Sequence, residues 1–181
     1  MSHDPSKTPP NVRIGPDSVL TGTETFRRFF SERDPAVVIG AHCHLQDLQL
    51  ALGKQAVVNV GDYVFAAHLI VLAENEISIG DRVFISFNVV LADTDFHPID
   101  PAARIADAIA ISPLAQGRAR PPIATAPVRI DDDVWIGPNV TILKGVHIGA
   151  GAFIEPGAMV TRDVPARARV LGNPAQIIGE V

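Results

Sequence analysis

Residues 130–165 read IDDDVW IGPNVT ILKGVH IGAGAF IEPGAM VTRDVP, six consecutive hexads that each open on Ile or Val and carry Val or Ala in the fifth place. A six-residue period fits neither the 3.6-residue helix nor the two-residue alternation of a flat, half-buried strand. It fits a triangular prism. Each hexad is one short strand and a turn, with its first residue pointing inward and its fifth a smaller inward residue near the corner. Three hexads make one coil, so the expected fold is a parallel β-helix. Coils pair backbone to backbone along the axis, and no single coil is stable without its neighbours.

Working outward, VGDYVFAAHLIVLAEN from Val60 and IGDRVFISFNVVLADT from Ile79 align nineteen residues apart, read as three hexads plus one inserted residue. Further upstream the pattern is ragged. IGAHCH from Ile39 is a hexad, whereas LQDLQL puts Gln49 where a buried residue is expected, and IGPDSV from Ile14 is a candidate opening of an earlier coil. TGTE, Thr21 to Glu24, has the form of a capping box ahead of Phe26, Phe29 and Phe30, which predicts a short helix ended by Pro35. At the other end, LGNPAQII, Leu171 to Ile178, leaves the period and is expected to cover the last coil. The expected organisation is a tail and short helix over 1–36, a β-helix over 37–165 with an extruded loop at 95–129, and a cap over 166–181.

Composition agrees with this reading. The chain has 181 residues, 47% of them hydrophobic but only 6% aromatic. A core of Val, Ile, Leu and Ala suits repeated short strands. The net charge of −5 provides no basic field for a phosphate backbone or an anionic bilayer, so neither nucleic acid nor membrane is an expected partner. The single cysteine, Cys43, excludes an intrachain disulfide and fits a reducing compartment. The start, MSHDPSKTPPN, lacks the basic-then-apolar layout of a secretory signal and reads as a flexible tail. A cytoplasmic location is expected.

The hexads vanish between Thr94 and Ile130. About thirty-five residues is too long for an ordinary connection and points to function or disorder. Asp100 and Pro101 supply an N-cap and a first helical residue, with Ile105 and Ile109 one turn apart, so a short helix is expected before Ser112-Pro113. QGRARPP follows as a mobile stretch, with Arg118 and Arg120 hinting at an acidic partner. His97 stands where the chain leaves the prism, a place that holds a side chain firmly while keeping it accessible. Asp93, Asp95 and His97 alternate, so in an extended chain all three lean to one side and a carboxylate orients the imidazole.

From Ile77 onward the chain resembles the hexapeptide-repeat acyltransferases, in particular the maltose and galactoside O-acetyltransferases and their nodulation-factor relatives. The motif order carries the resemblance: IGDRVFISFNVVL, HPIDP, an extruded loop, VRIDDDVWIGPNVTILKGVHIGAGAFIEPGAMVTRDVP and GNPAQII. It implies a left-handed β-helix and transfer of an acetyl group from acetyl-CoA to a hydroxyl of a sugar-like acceptor, without a metal. His97 matches the general base, with Asp95 and Asp93 as its carboxylate neighbours. Coenzyme A is expected along a groove between subunits of a homotrimer, at Trp135, Gly137, Pro138, Pro156, Thr161 and Arg162, with Arg162 near the donor phosphates. Departures are also present. Pro138 has no N–H to offer as an oxyanion donor. Gln176 and Gly179 replace basic residues, leaving phosphates to Arg162, Arg167 or Arg169, and Ala67, His68 and Leu69 replace a sugar-contacting Asn-rich stretch.

Two other classes compete. The γ-type carbonic anhydrases share the β-helix and bind zinc through three histidines, two of them separated by four residues; His42, His44, His68, His97 and His147 include no such pair. A catalytically idle β-helix acting as a scaffold is the third class.

Overall fold

The protein is described by a computed structural model covering residues 8–115 and 117–181. The tail expected at the start falls largely on residues 1–7, outside the described residues. Three sheets run along one axis. The first face stacks six strands from Val12–Ile14 to His147–Ile148, and the third stacks six from Arg28–Phe29 to Met159–Val160. The second stacks eight, from Val19–Leu20 to Ala175–Glu180. Every neighbouring pair is parallel except the last, Ala168–Gly172 against Ala175–Glu180.

The hexads account for this directly. Ile130, Ile136, Ile142, Ile148, Ile154 and Val160 open the six hexads, and all are buried inside the prism. Val134, Val140, Val146, Ala152, Ala158 and Val164, the fifth places, are buried with them. The fourth place makes the corner: Asp133, Asn139, Gly145, Gly151 and Gly157 all have positive φ, between 59° and 78°. Only Gly, Asn and Asp visit that left-handed region readily, so the DNGGG sequence at these positions is a direct record of the bends.

Neighbouring coils approach closely at the first corner. A β-carbon on Gly80 would lie 2.8 Å from the backbone carbon of Asp131, which explains the glycine. The aspartate in the third place of the hexad at this corner ties coils together. The carboxylates of Asp62, Asp81 and Asp132 accept the backbone N–H of Ala41, Asp62 and Asp81 respectively, at 2.7–2.9 Å. With a narrow core of this kind, each inward residue touches only its own coil and the adjacent two. Ile142→Ala is expected to destabilise the protein by about 2–5 kcal/mol, because the rigid coil cannot collapse onto the void. Urea unfolding followed by circular dichroism checks this.

Several expectations need correction. No helix forms over 21–30. Those residues complete a first coil instead, with Arg28–Phe29 paired to Ala51 and Leu52, so the β-helix begins at Val12 rather than near residue 37. The Thr21 hydroxyl accepts from the Asp47 backbone N–H rather than from its own segment, and Phe26 and Phe29 pack edge to face at 5.6 Å against the core. Strand pairing with an existing coil outweighs the local capping signal. The nineteen-residue alignment also fails part-way. Phe65 and Ala66 pair with Phe84 and Ile85, but Leu69 to Leu72 pair with Val89 to Ala92, one residue out of step. Coils at 45–50 and 66–71 turn their second corner in one residue fewer, so Leu50 takes the inward place and Gln49 stands half-buried, 3.3 Å from the His68 ring.

The end of the chain differs as well. Ala175–Glu180 extends the second sheet as its edge strand and leaves Ile177 and Ile178 more than half exposed, with Ala175 alone of this strand packed on the core. Cys43 is buried, its Sγ 3.1 Å from the Gly61 carbonyl, and burial pushes its thiol pKa up. Such a thiol is inert.

Candidate active site around His97

The excursion at 95–129 is pinned at its base. Thr94 and Thr125 form an antiparallel bridge, the Asp95 N–H donates to the Ala124 carbonyl at 3.1 Å, and the Ala126 N–H donates to the Asp93 carbonyl at 2.9 Å. The chain therefore leaves and returns at one point beside the third face. The expected helix is present as α1, Pro101–Ala110, with the Asp100 carboxylate accepting from the Ala103 N–H at 2.8 Å and Pro101 in the first turn. Ile105 and Ile109 face outward, and the one buried side chain of α1 is Asp107.

Asp107 is the carboxylate that meets the imidazole. Its Oδ2 lies 2.6 Å from His97 Nδ1, and Arg120 closes the far side, with Nε donating to Oδ1 at 2.6 Å and Nη2 to Oδ2 at 3.1 Å. Arg120 Nη2 also donates to the Phe96 carbonyl at 3.0 Å, so the same side chain holds the segment that carries His97. The Arg120 hydrogen bond, with that from His97, holds the Asp107 pKa down to about 2 against the cost of burial. An ionised carboxylate only accepts hydrogen bonds, so Nδ1 carries the proton, and in the neutral ring Nε2 keeps its lone pair. The side chain is 50% exposed and lines the cleft described below.

The depressed Asp107 pKa has a measurable consequence. Relative to an unfolded aspartate near 3.9, the clamp's contribution is fully present above about pH 4 and is lost as pH falls toward 2. The loop is therefore expected to stay closed in mild acid. Hydrogen exchange across 100–120 between pH 3 and 5 checks this, and opening at pH 4.5 would count against it.

Asp93 and Asp95 do not serve His97. Asp93 is buried with its oxygens accepting the Glu74 and Asn75 N–H groups at 2.8 Å each, and desolvation raises its pKa. Asp95 pairs with Lys144 at 3.2 Å. The alternation failed because the chain turns immediately after Thr94, with Phe96 at φ 65°. Arg120, read from sequence as a hint of an acidic partner, finds that partner in its own chain.

The residues expected to bind the donor fall at two corners of the prism. Trp135 is half-exposed on the second face, stacked on Phe153 at 4.5 Å. Gly137, Pro138 and Pro156 follow at the corner between the second and third faces, where the Gly157 N–H donates to the Pro138 carbonyl at 2.9 Å. Thr161 and Arg162 lie at the opposite corner of the third face, the corner where His97 leaves, two coils nearer the C-terminus. Within one chain these two groups do not meet. Arg162 makes no ion pair among the described residues, whereas Arg169 is committed to Glu155 and to the Phe153 ring, and Arg167 to the Val181 carbonyl. His68 sits at the far corner against Gln49, away from His97, and no group of three His, Cys, Asp or Glu side chains converges among the described residues.

Beside His97, on the side of the N-terminal coils, an open cleft of about 520 Å³ is lined by Arg28, Phe30, Glu74, Phe96, Ile111 and Arg120 over a floor of Ala51, Leu52, Gly53, Leu72 and Ala73. Burial pushes the Glu74 pKa up, partly offset by Arg120. Among the described residues no helix is long and apolar enough to cross a membrane.

Residues 127–162 match the family described as bacterial transferase hexapeptide (six repeats). The chain is 55% identical over 62 residues to a 2,3,4,5-tetrahydropyridine-2,6-dicarboxylate N-acetyltransferase of Staphylococcus aureus; the match takes in 34% of this chain and 26% of that one. The chain thus spans about a quarter of the length of the curated relatives it matches. Among solved structures, a hexapeptide-repeat acetyltransferase of Vibrio cholerae complexed with acetyl coenzyme A superposes with a TM-score of 0.59 at 27% identity, over 94% of this chain and 70% of that one. A maltose O-acetyltransferase of Clostridium difficile gives 0.56 at 31% identity, over 80% and 65%.

Proposed function

We propose that this chain, a hexapeptide-repeat β-helix, is an acyltransferase that moves an acetyl group from acetyl-CoA to a hydroxyl of a small acceptor, with His97 as general base. The observation that carries the reading is the Asp107–His97 contact beside an open cleft, which engages Nδ1 and leaves Nε2 without a side-chain partner among the described residues. The likeness to the Vibrio cholerae acetyltransferase, whose structure holds acetyl-CoA, and to the maltose O-acetyltransferase supports the donor and the hydroxyl acceptor.

The chemistry follows from the tautomer. Nε2 takes the acceptor's proton as its oxygen attacks the thioester carbonyl; the C–O bond forms and a tetrahedral oxyanion results. The C–S bond then breaks and the imidazolium returns the proton to the departing thiolate. Asp107 keeps the ring in the productive tautomer and stabilises the imidazolium, acting as a positioning residue. No covalent enzyme intermediate is required, which agrees with the buried Cys43.

Donor residues at two corners of one prism make sense if the groove lies between subunits, with Trp135 and Gly137 from one protomer facing Thr161 and Arg162 of the next. A homotrimer of this kind is part of the proposal, and sedimentation checks it. Activity is tested by following thiol release from acetyl-CoA across a panel of sugars, nucleotide sugars and amino alcohols. Acceptor-dependent release supports the reading, and no release with any acceptor counts against it.

A further inference from the structure

We infer that the acceptor carries a carboxylate or phosphate, and that Arg28 is the residue that binds it. The inference rests on the acyltransferase reading, which leaves the acceptor class open. Arg28 lies on the outer side of the third face, three strand steps from Ala92 through Ala51 and Leu72, so its backbone stands about 14 Å from the coil that carries His97. Both residues line the same cleft.

Two arginines line this cleft, and Arg120 is engaged by Asp107. Arg28 makes no ion pair and no side-chain hydrogen bond among the described residues. A free guanidinium in a chain of net charge −5, facing a cleft of ligand size, matches a planar anion through two parallel N–H donors.

Glu74 fixes the orientation. It lines the same cleft from the coil next to that of His97, 3.9 Å from Arg120, where in its ionised form it repels an acceptor's anionic group and can accept from a hydroxyl. A β-carbon on Gly53 would fall 1.8 Å from Glu74 Oε2, so the glycine keeps room for that carboxylate over the cleft floor. The acceptor is therefore a compact molecule with its anionic group at one end and its reacting hydroxyl at the other, lying across the apolar floor. The donor approaches from the C-terminal side of His97, where Arg162 stands, so the two substrates need not compete for Arg28.

The test uses the whole protein with acetyl-CoA against matched acceptors: glucose, glucuronate and glucose 6-phosphate, and glycerol and glycerate. At least one anionic member is expected to show a kcat/KM about tenfold or more above its neutral counterpart, a ratio that Arg28→Gln brings down toward one. The carboxylate and phosphate arms identify which anion is bound. A preference for neutral members, or a ratio unmoved by Arg28→Gln, overturns the inference while leaving acyl transfer standing. A rise in the KM for acetyl-CoA alone also overturns it, because Arg28 then serves the donor's phosphates. Turnover with no acceptor of either kind removes the acyltransferase reading and this inference with it.

Discussion

His97→Ala is expected to lower acetyl transfer by about 10²–10⁴-fold, the usual contribution of a positioned general base, while leaving the fold intact. The structural cost is small for a physical reason. The ring is half-exposed at the rim, outside the prism, and its one side-chain partner, Asp107, keeps Arg120 when the imidazole is gone. Thermal unfolding of the variant should therefore superpose on that of the parent. Comparable turnover in variant and parent would instead favour an inert scaffold. Added imidazole offers a further check, since restoring the base in the vacated space should recover part of the rate.

Asp107→Asn should be nearly as damaging, although this side chain is buried behind His97. The buried amide has two ways to sit. With its oxygen toward Arg120, its NH₂ donates to His97 Nδ1 and forces the ring proton onto Nε2, which removes the base. With its oxygen toward His97, the NH₂ meets the Arg120 Nε–H donor to donor. The first arrangement removes the base and the second unseats Arg120 while keeping the tautomer, so to the extent that the first is adopted kcat is expected to fall, by about 10²-fold or more, with the KM for acetyl-CoA little changed. A purely structural role would not move the ring proton. Nitrogen NMR of the imidazole separates the cases, because protonation should switch from Nδ1 to Nε2, and an unchanged tautomer with unchanged kcat would reject the assignment.

Much of the architecture was legible because a solenoid repeats the same local problem. Ile130, Ile136, Ile142, Ile148, Ile154 and Val160 each solve it alike, so the period is visible without knowing any distant contact. Where coils deviate, legibility drops. The single-residue shortening near His68 shifts the strand pairing, and the Thr21–Phe30 segment carries a helix signal that pairing with Ala51 and Leu52 overrides.

Of the candidate site, the place where His97 leaves the prism was legible and its contacts were not. His97 stands out because it ends a regular pattern at a loop. Its partner does not, since Asp107 is ten residues on and Arg120 thirteen further, in a segment with no repeat to fix its path. A trace of a signal existed in IADAI, where one acid stands among small and apolar residues of an amphipathic helix. It indicates that something buried must satisfy the carboxylate, without naming what.

The amino-acid sequence by itself determined the coil, its inward residues, the bends at Asp, Asn and Gly, and the place where the chain leaves the prism. These depend on interactions within a residue or two along the chain or one coil away, so a period records them. Only the tertiary structure decided which carboxylate orients the imidazole, that Asp93 caps backbone instead, and that Arg28 and His97 share a cleft. Those outcomes depend on how a thirty-five-residue loop closes and on how far apart stacked coils place their outward side chains, and neither distance is written in any local pattern.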